Sequence, residues 1–455
     1  MSRVELRYMR ILKQIGLTDV GPGPRLSFDV AERINIITGD NGLGKTFLLD
    51  IAWWGATGSW ADRPAEPNDG HRSDARLHVE IRGTNDENSS EYKFGGARRG
   101  WVRTQNGLRP KPPALVIYAR SDGRYSLWDP ERDYWSRADI TSVVESVDEE
   151  ELSTEQPAFG SGGASRGLHL TLDEVWNGKR NQGKFVTRGL IEDWVTWQDR
   201  KNEQWDALCA VLKALSPHPT DPIVPGRPRR STTDDDESRE FPSLALPYGE
   251  VSIMNASAGM RRIVALAYLL VWSWQEHQVR SDGRPVKDIV LLVDEPETHL
   301  HPQWQRRILP SIIESVSTFH RGDGANEESV EIQLLATTHS PLVLGSLEQI
   351  FDVDRDALCN LELVGAAGNR HAQISELEWY RLGSIEAWLG SPAIGLDGEV
   401  RPENADLKRE AFEVMSGNVA LQLHELDELS ARLIDSLSSL DPYVIAWHAW
   451  RSERA

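Results

Sequence analysis

The sequence predicts an α/β fold with a mostly parallel core sheet. Three observations carry the prediction. Residues 33–38 (Arg-Ile-Asn-Ile-Ile-Thr) read as a buried strand running into a glycine-rich turn, and residues 45–56 read as the helix after it. Residues 289–293 are an unbroken apolar run closed by Asp294 and Glu295, the pattern of a strand covered on both faces. A long helical pattern over 257–277 precedes that run and another strand over 331–337 follows it, so strands and helices alternate.

Composition bounds the classes that remain. The chain has 455 residues, 39% hydrophobic and 26% charged, which allows several domains and is too apolar for a disordered protein. Fifty basic against 70 acidic side chains give a formal charge of −20, which argues against a broad basic surface for nucleic acid. Cys209 and Cys359 lie far apart, form no metal pattern and suit a reducing cytoplasm. Arg3, Glu5, Arg7, Arg10 and Lys13 leave no apolar signal core, and the longest apolar run, 263–272, is half of what a membrane span needs. A cytoplasmic chain without a membrane segment is expected.

Residues 62–74 are a loop, 76–82 alternate as a half-exposed strand and 114–119 form a more buried one. Residues 145–166, acidic and then rich in Gly and Ser, are expected to be mobile. Leu190, Ile191, Trp194, Val195, Trp205, Leu208, Leu212 and Leu215 keep helical spacing, so 189–215 is expected to be one helix of about 40 Å. Prolines at 217, 219, 222, 225 and 228 and the acidic run 234–237 make 216–242 the best candidate for a disordered segment. Residues 303–317 read as helical, and 402–450 as helices with Leu423, Leu426, Leu433, Leu437 and Leu440 on one side. The expected parts are 1–188, a helical insert and linker over 189–247, 248–394, and a helical extension over 395–455.

Gly39, Asp40, Asn41, Gly42, Leu43, Gly44, Lys45 and Thr46 fit the pattern G-x-x-x-x-G-K-[ST] and lie between a strand and a helix, as that pattern requires. Glycines let backbone N–H groups converge on an anion, and the helix start points its positive end at phosphates. Lys45 can reach the β and γ phosphates, Thr46 can give its hydroxyl to Mg²⁺, and Phe47 adjoins them. Asp294 suits the Mg²⁺ shell, and Glu295 can orient or deprotonate an attacking water. His339, in Thr337-Thr338-His339-Ser340-Pro341, ends the strand 331–337, where it can contact a γ-phosphate. Ser257 is a plausible cap for the long helix.

This ordered set, with Ser-Ala-Gly-Met-Arg at 257–261 and Val-Asp-Glu-Pro-Glu-Thr-His-Leu-His-Pro at 293–302, resembles an ABC-type ATPase head. The branch resembled is that of RecF, SMC-like and OLD-family ATPases and the ATPases of anti-phage systems such as PtuA. The resemblance covers about 30–60 and 248–345 and implies an antiparallel β lobe and a short helical lobe beside the core sheet. It implies that ATP and Mg²⁺ are bound, that Ser257 and Gly259 complete the ATP site of a second copy, and that His339 is the switch histidine. Residues 297–301 become the loop between the Asp-Glu pair and the dimer seam. Ala258 departs from the transporter form Leu-Ser-Gly-Gly-Gln. The family's further glutamine could be Gln105, Gln182 or Gln198.

The expected function is an ATP-hydrolysing switch, a homodimer or higher homo-oligomer, acting in anti-phage defence with a separate effector protein. The alternative is a RecF-like DNA-binding repair ATPase. A nuclease is a weaker rival: Asp352, Asp354 and Asp356 read better as a hairpin turn between strands 349–353 and 359–364 than as a metal site. His299 and His301 read as loop residues rather than transition-metal ligands. Trp194, Trp272, Trp388 and Trp447 are expected in core or interface. The basic cluster Arg98, Arg99, Arg103, Arg109 and Lys111, near Trp101, reads as a solvated loop before a contact for DNA or a partner.

Overall fold

The computed structural model describes residues 11–82, 89–95, 100–105, 114–131, 167–218, 220–230, 239–247, 249–281, 286, 288–321, 328–366, 370–394, 402–415, 422–437 and 441–452. It divides into two units, Met1–Gly383 and Ser384–Ala455.

The first unit is built on an eight-stranded sheet. Its spatial order is His371–Leu377, Ala357–Val364, Ile34–Gly39, Glu331–Thr337, Asp288–Asp294, Ala114–Ala119, Tyr125–Trp128 and Leu168–Leu170. The middle five strands pair in parallel, and the outer three pair antiparallel. Parallel strands with both faces covered need no polar face, and the 289–293 run is buried throughout. The register sets Asp294 beside Thr337 and Thr337 beside Ile37, so the C-terminal strand ends line up at one edge. That edge is where open α/β sheets bind ligands.

A separate five-stranded antiparallel sheet has the order Gly23–Asp29, Leu12–Val20, Arg76–Ile81, Ser89–Gly95 and Gly100–Arg103. The helix Lys45–Thr57 lies in a core drawn from both sheets, which is why it is apolar nearly all round. Trp53 and Trp54 fill that core, and Trp54 meets Tyr92 edge to face at 4.6 Å.

The helical insert differs from expectation: residues 189–215 form two helices, Leu190–Arg200 and Glu203–Ala214. Lys201 takes a left-handed conformation (φ 46°), and the Asn202 side chain accepts the Trp205 N–H at 3.1 Å to start the second helix. The apolar spacing runs across the break because Trp194 and Trp205 still meet, ring centroids 5.8 Å apart. The pattern over 303–317 likewise splits into Pro302–Gln305 and Ile308–Ser317.

Part of the segment expected to be disordered is folded. Val224–Pro225 pairs with Ser243–Leu246, and Arg229–Arg230 pairs with Glu240–Phe241. Ile223 and Phe241 are buried. The Ser216 hydroxyl accepts the Ile223 N–H at 2.8 Å, and Gln198 Nε2 donates to the Gly226 carbonyl at 2.8 Å. Two apolar anchors and side-chain bonds to the backbone hold a stretch whose composition predicts little burial. The acidic run 234–237 and the stretch 145–166 lie outside the described residues.

The second unit holds the helices Pro402–Met415, Leu423–Ser436 and Pro442–Ser452. They pack around Leu407, Ala411, Val414, Leu429, Leu433, Leu437, Val444 and Trp447. The Trp447 indole N–H donates to the Ser430 hydroxyl at 2.8 Å. Among the described residues no helix is long and apolar enough to cross a membrane.

Candidate functional site

The glycine loop leaves the strand Ile34–Gly39 by a route that side chains would block. Gly39 has φ 125°, and a Cβ there would collide with the Leu361 carbonyl oxygen of the neighbouring strand. Gly44, at φ 97°, opens the helix Lys45–Thr57 with no capping side chain and no acid in its first turn. The first N–H groups of this helix are therefore unclaimed by side chains, which suits an anion. Asp40, Asn41 and Gly42 are exposed, and Leu43 is buried. Phe47 turns away from the loop: its ring lies against Gly21 in the turn after the strand Leu12–Val20.

Lys45 donates to the carbonyls of Gly39 and Asp40, both at 2.8 Å. Burial lowers its pKa, while the Glu295 and Asp294 carboxylates pull the other way. Thr46 donates to the Asp294 carboxylate, 3.1 Å from Oδ1 and 3.0 Å from Oδ2. Asp294 is 1% exposed and also accepts from the hydroxyls of Ser121 (2.6 Å) and Thr337 (2.7 Å). Among the described residues it makes no ion pair within 4 Å. A buried carboxylate ringed by hydroxyl oxygens is a hard-donor set that fits Mg²⁺.

Glu295 stands one residue further on, at φ 47°, with its N–H donating to the Thr337 hydroxyl at 3.1 Å. Its Oε1 lies 3.7 Å from His339 Nε2. Burial lowers the His339 pKa, the Lys45 charge lowers it further and Glu295 opposes both. Burial and the Lys45 charge thus favour the neutral ring, which donates through one nitrogen and accepts through the other.

Ser257 caps the helix Ala258–Arg280, accepting the Met260 N–H at 3.2 Å. No hydrogen bond joins Ser257 or Gly259 to residues 39–46, so the structure does not unite them with the glycine loop of the same chain. Gly259 packs against the backbone of His299. His301 caps the short helix Pro302–Gln305 through Nδ1.

Two residues of the site escaped the sequence reading. Ser121 follows the strand Ala114–Ala119, whose C-terminal end lies beside that of Asp288–Asp294. An apolar strand ending beside a known ligand position is the signal that could have found it. Arg262 donates to the carbonyls of Arg120 and Ser121 at 3.2 Å each and of Asp294 at 3.0 Å, tying the long helix to both strand ends. Gln105, Gln182 and Gln198 make no hydrogen bond to this site. Gln105 accepts the Glu91 N–H, Gln182 sits in a hairpin turn at φ 46°, and Gln198 bonds Trp194 and Gly226.

In the acidic turn 352–356 the expected strand over 349–353 is absent. Turns follow the helix Pro341–Ser346, and the strand starts at Ala357. Asp356 is buried, pairs with Arg33 at 2.5 Å and accepts the Ile34 N–H at 3.0 Å. Trp194, Trp272, Trp388 and Trp447 are all buried. Trp101 is buried, its indole N–H donating to the Ala65 carbonyl at 2.8 Å, and Arg103 is half-buried. Arg98, Arg99, Arg109 and Lys111 lie outside the described residues.

Residues 243–345 match the family model described as "AAA domain, putative AbiEii toxin, Type IV TA system". That segment carries Ser257, Asp294, Glu295 and His339, and the glycine loop lies outside it. The fold is α/β, a mostly parallel sheet with a glycine-rich P-loop pattern between the strand Ile34–Gly39 and the helix Lys45–Thr57. Among solved structures, the SMC head domain from Thermotoga maritima is similar at 13% identity and TM-score 0.38, over 82% of this chain and 100% of that one. RecF, titled the recombination mediator protein of the RecFOR pathway, is similar at 13% identity and TM-score 0.37, over 81% of this chain and 99% of that one. No curated protein gives a significant match.

Proposed function

We propose that this ABC-type head binds and hydrolyses ATP and uses the cycle as a molecular switch between separate and paired copies of the chain. The observation that carries the reading is the Thr46 hydroxyl on Asp294, which joins the glycine loop to the end of the central strand. Phosphate recognition and a carboxylate for a cation thereby share one edge of the sheet.

In this reading the loop N–H groups and Lys45 hold the β and γ phosphates. Thr46 and Asp294, with Ser121, would hold Mg²⁺, which when bound neutralises charge on those phosphates. Glu295 accepts a proton from the attacking water as its oxygen bonds the γ-phosphorus. The bond from that phosphorus to the β–γ bridging oxygen breaks, giving ADP and phosphate. Neutral His339 beside Glu295 donates to the γ-phosphate. Ser257 and Gly259, which have no bond to their own glycine loop, serve the nucleotide of a second copy.

The setting we propose is defence against phage, with a separate effector protein. It rests on the family resemblance and on a matched model whose description names a type IV toxin–antitoxin system.

The test is nucleotide binding and turnover by the purified chain and by Lys45→Ala. The variant is expected to lose ATP binding, or to lose at least about 100-fold in turnover. Equal turnover by the two proteins would sink the assignment. For the setting, plaque counts on cells carrying the gene with its neighbours should rise when Lys45 is replaced; unchanged counts would remove the defence reading.

A further inference from the structure

Glu297 lies on the loop that carries Glu295 and reaches across to the loop that carries His339. Its Oε1 accepts from the Thr338 hydroxyl at 2.9 Å and from the His339 backbone N–H at 2.8 Å. Its Oε2 is buried and has no hydrogen-bond partner among the described residues. Burial raises the pKa of the carboxyl, and the two accepted bonds oppose that rise. An acid here is costly unless its reach matters, because the site already holds Asp294 and Glu295.

The contact belongs to a closed ring of bonds. Thr338 Oγ1 accepts the Ser340 N–H at 3.0 Å, and the Ser340 hydroxyl donates to Gln305 Oε1 at 2.8 Å. Gln305 Nε2 donates to the Leu300 carbonyl at 3.0 Å, which returns the ring to the loop that holds Glu297. The ring fixes the backbone of residues 338–340 against that of residues 297–300. The His339 ring, 3.7 Å from Glu295, inherits its place from this frame.

We propose that Glu297 is a positioning residue for the hydrolytic step: it holds His339 at the distance from Glu295 that turnover requires, and it acts through reach rather than charge. The inference rests on the ATPase reading above. Glu297 touches neither nucleotide nor water in this role. A misplacement of about 1 Å in such a pair costs roughly 10- to 100-fold in rate.

Two variants separate reach from charge in the full-length chain. Glu297→Asp keeps the charge and shortens the arm by a methylene; kcat for ATP should fall about 10- to 100-fold, with KM within about twofold. Glu297→Gln keeps an acceptor oxygen at full reach, and its kcat should stay within about threefold of the parent. In a His339→Ala background Glu297→Asp should add less than about twofold, since its effect passes through His339. The proposal is overturned by parental kcat in Glu297→Asp, by equal losses in Asp and Gln, or by full additivity with His339→Ala. Both single variants are small changes, and thermal melting checks that they are folded. A parental rate in Glu295→Gln would strike the reading beneath, whereas a loss in Glu295→Gln with parental kcat in Glu297→Asp would strike the Glu297 proposal alone.

Discussion

A Cβ on Gly259 would lie 2.5 Å from the carbonyl oxygen of His299. The start of the long helix and the loop after Asp294 are thus in backbone contact within one chain. His299 itself sits at φ 64°, so the loop has little freedom to retreat. Gly259→Ala is expected to cost about 1–3 kcal/mol of stability by overpacking. Chemical denaturation measures it. An unchanged midpoint would mean that glycine is needed here only for contact with a second copy.

Glu295→Gln keeps the shape of the side chain and loses the base. It should bind ATP and turn it over at least about 100-fold more slowly. Because hydrolysis is what separates paired copies in the proposed cycle, the variant should accumulate an ATP-dependent dimer. Light scattering reads this directly, and a monomer at every ATP concentration would count against pairing.

Ser121 donates to Asp294 at 2.6 Å, alongside Thr46 and Thr337. Ser121→Ala removes one oxygen from the set that orients the carboxylate. The Mg²⁺ concentration for half-maximal ATPase should rise about 10-fold, with little change at saturating metal. A superimposable Mg²⁺ titration would confine Ser121 to packing.

Asp193 lies in the helix Leu190–Arg200 and accepts the Tyr268 hydroxyl at 2.7 Å from the long helix. Burial pushes its pKa up to about 6, above its ordinary 3.8. A raised carboxyl pKa contributes stability below the unfolded value, and that contribution is lost as pH rises through about 6. Asp193→Asn should therefore be neutral or stabilising at pH 8. The parent should lose up to roughly 3 kcal/mol between pH 4 and 8 that the variant does not. Parallel pH–stability curves for the two proteins would refute this.

Much of the fold was legible because burial leaves a one-dimensional trace. The strands 289–293 and 331–337 announce themselves as apolar runs, and Ser257 as the cap of a long amphipathic pattern. The break at Lys201 and Asn202 was not legible, since the two helices beyond it bury a continuous apolar stripe. Nor was the folding of residues 220–230. Proline count measures lost helix and sheet, and is blind to Ile223 dropping into a core supplied by the neighbouring helices.

The site divides the same way. Local order in the sequence determined the glycine loop, because Gly39 and Gly44 act through backbone shape and Lys45 and Thr46 follow them at fixed spacing over a few residues. It determined Asp294 and Glu295 as acids at the end of a buried strand. Tertiary structure alone decided that Thr46 meets Asp294, which are 248 positions apart, and that Ser121 joins them. It decided that Glu297 accepts the His339 N–H and that Asp356 pairs with Arg33. These relationships depend on which strands lie side by side and in which register. Strand order is set by packing across the whole sheet, and no short stretch of sequence encodes it.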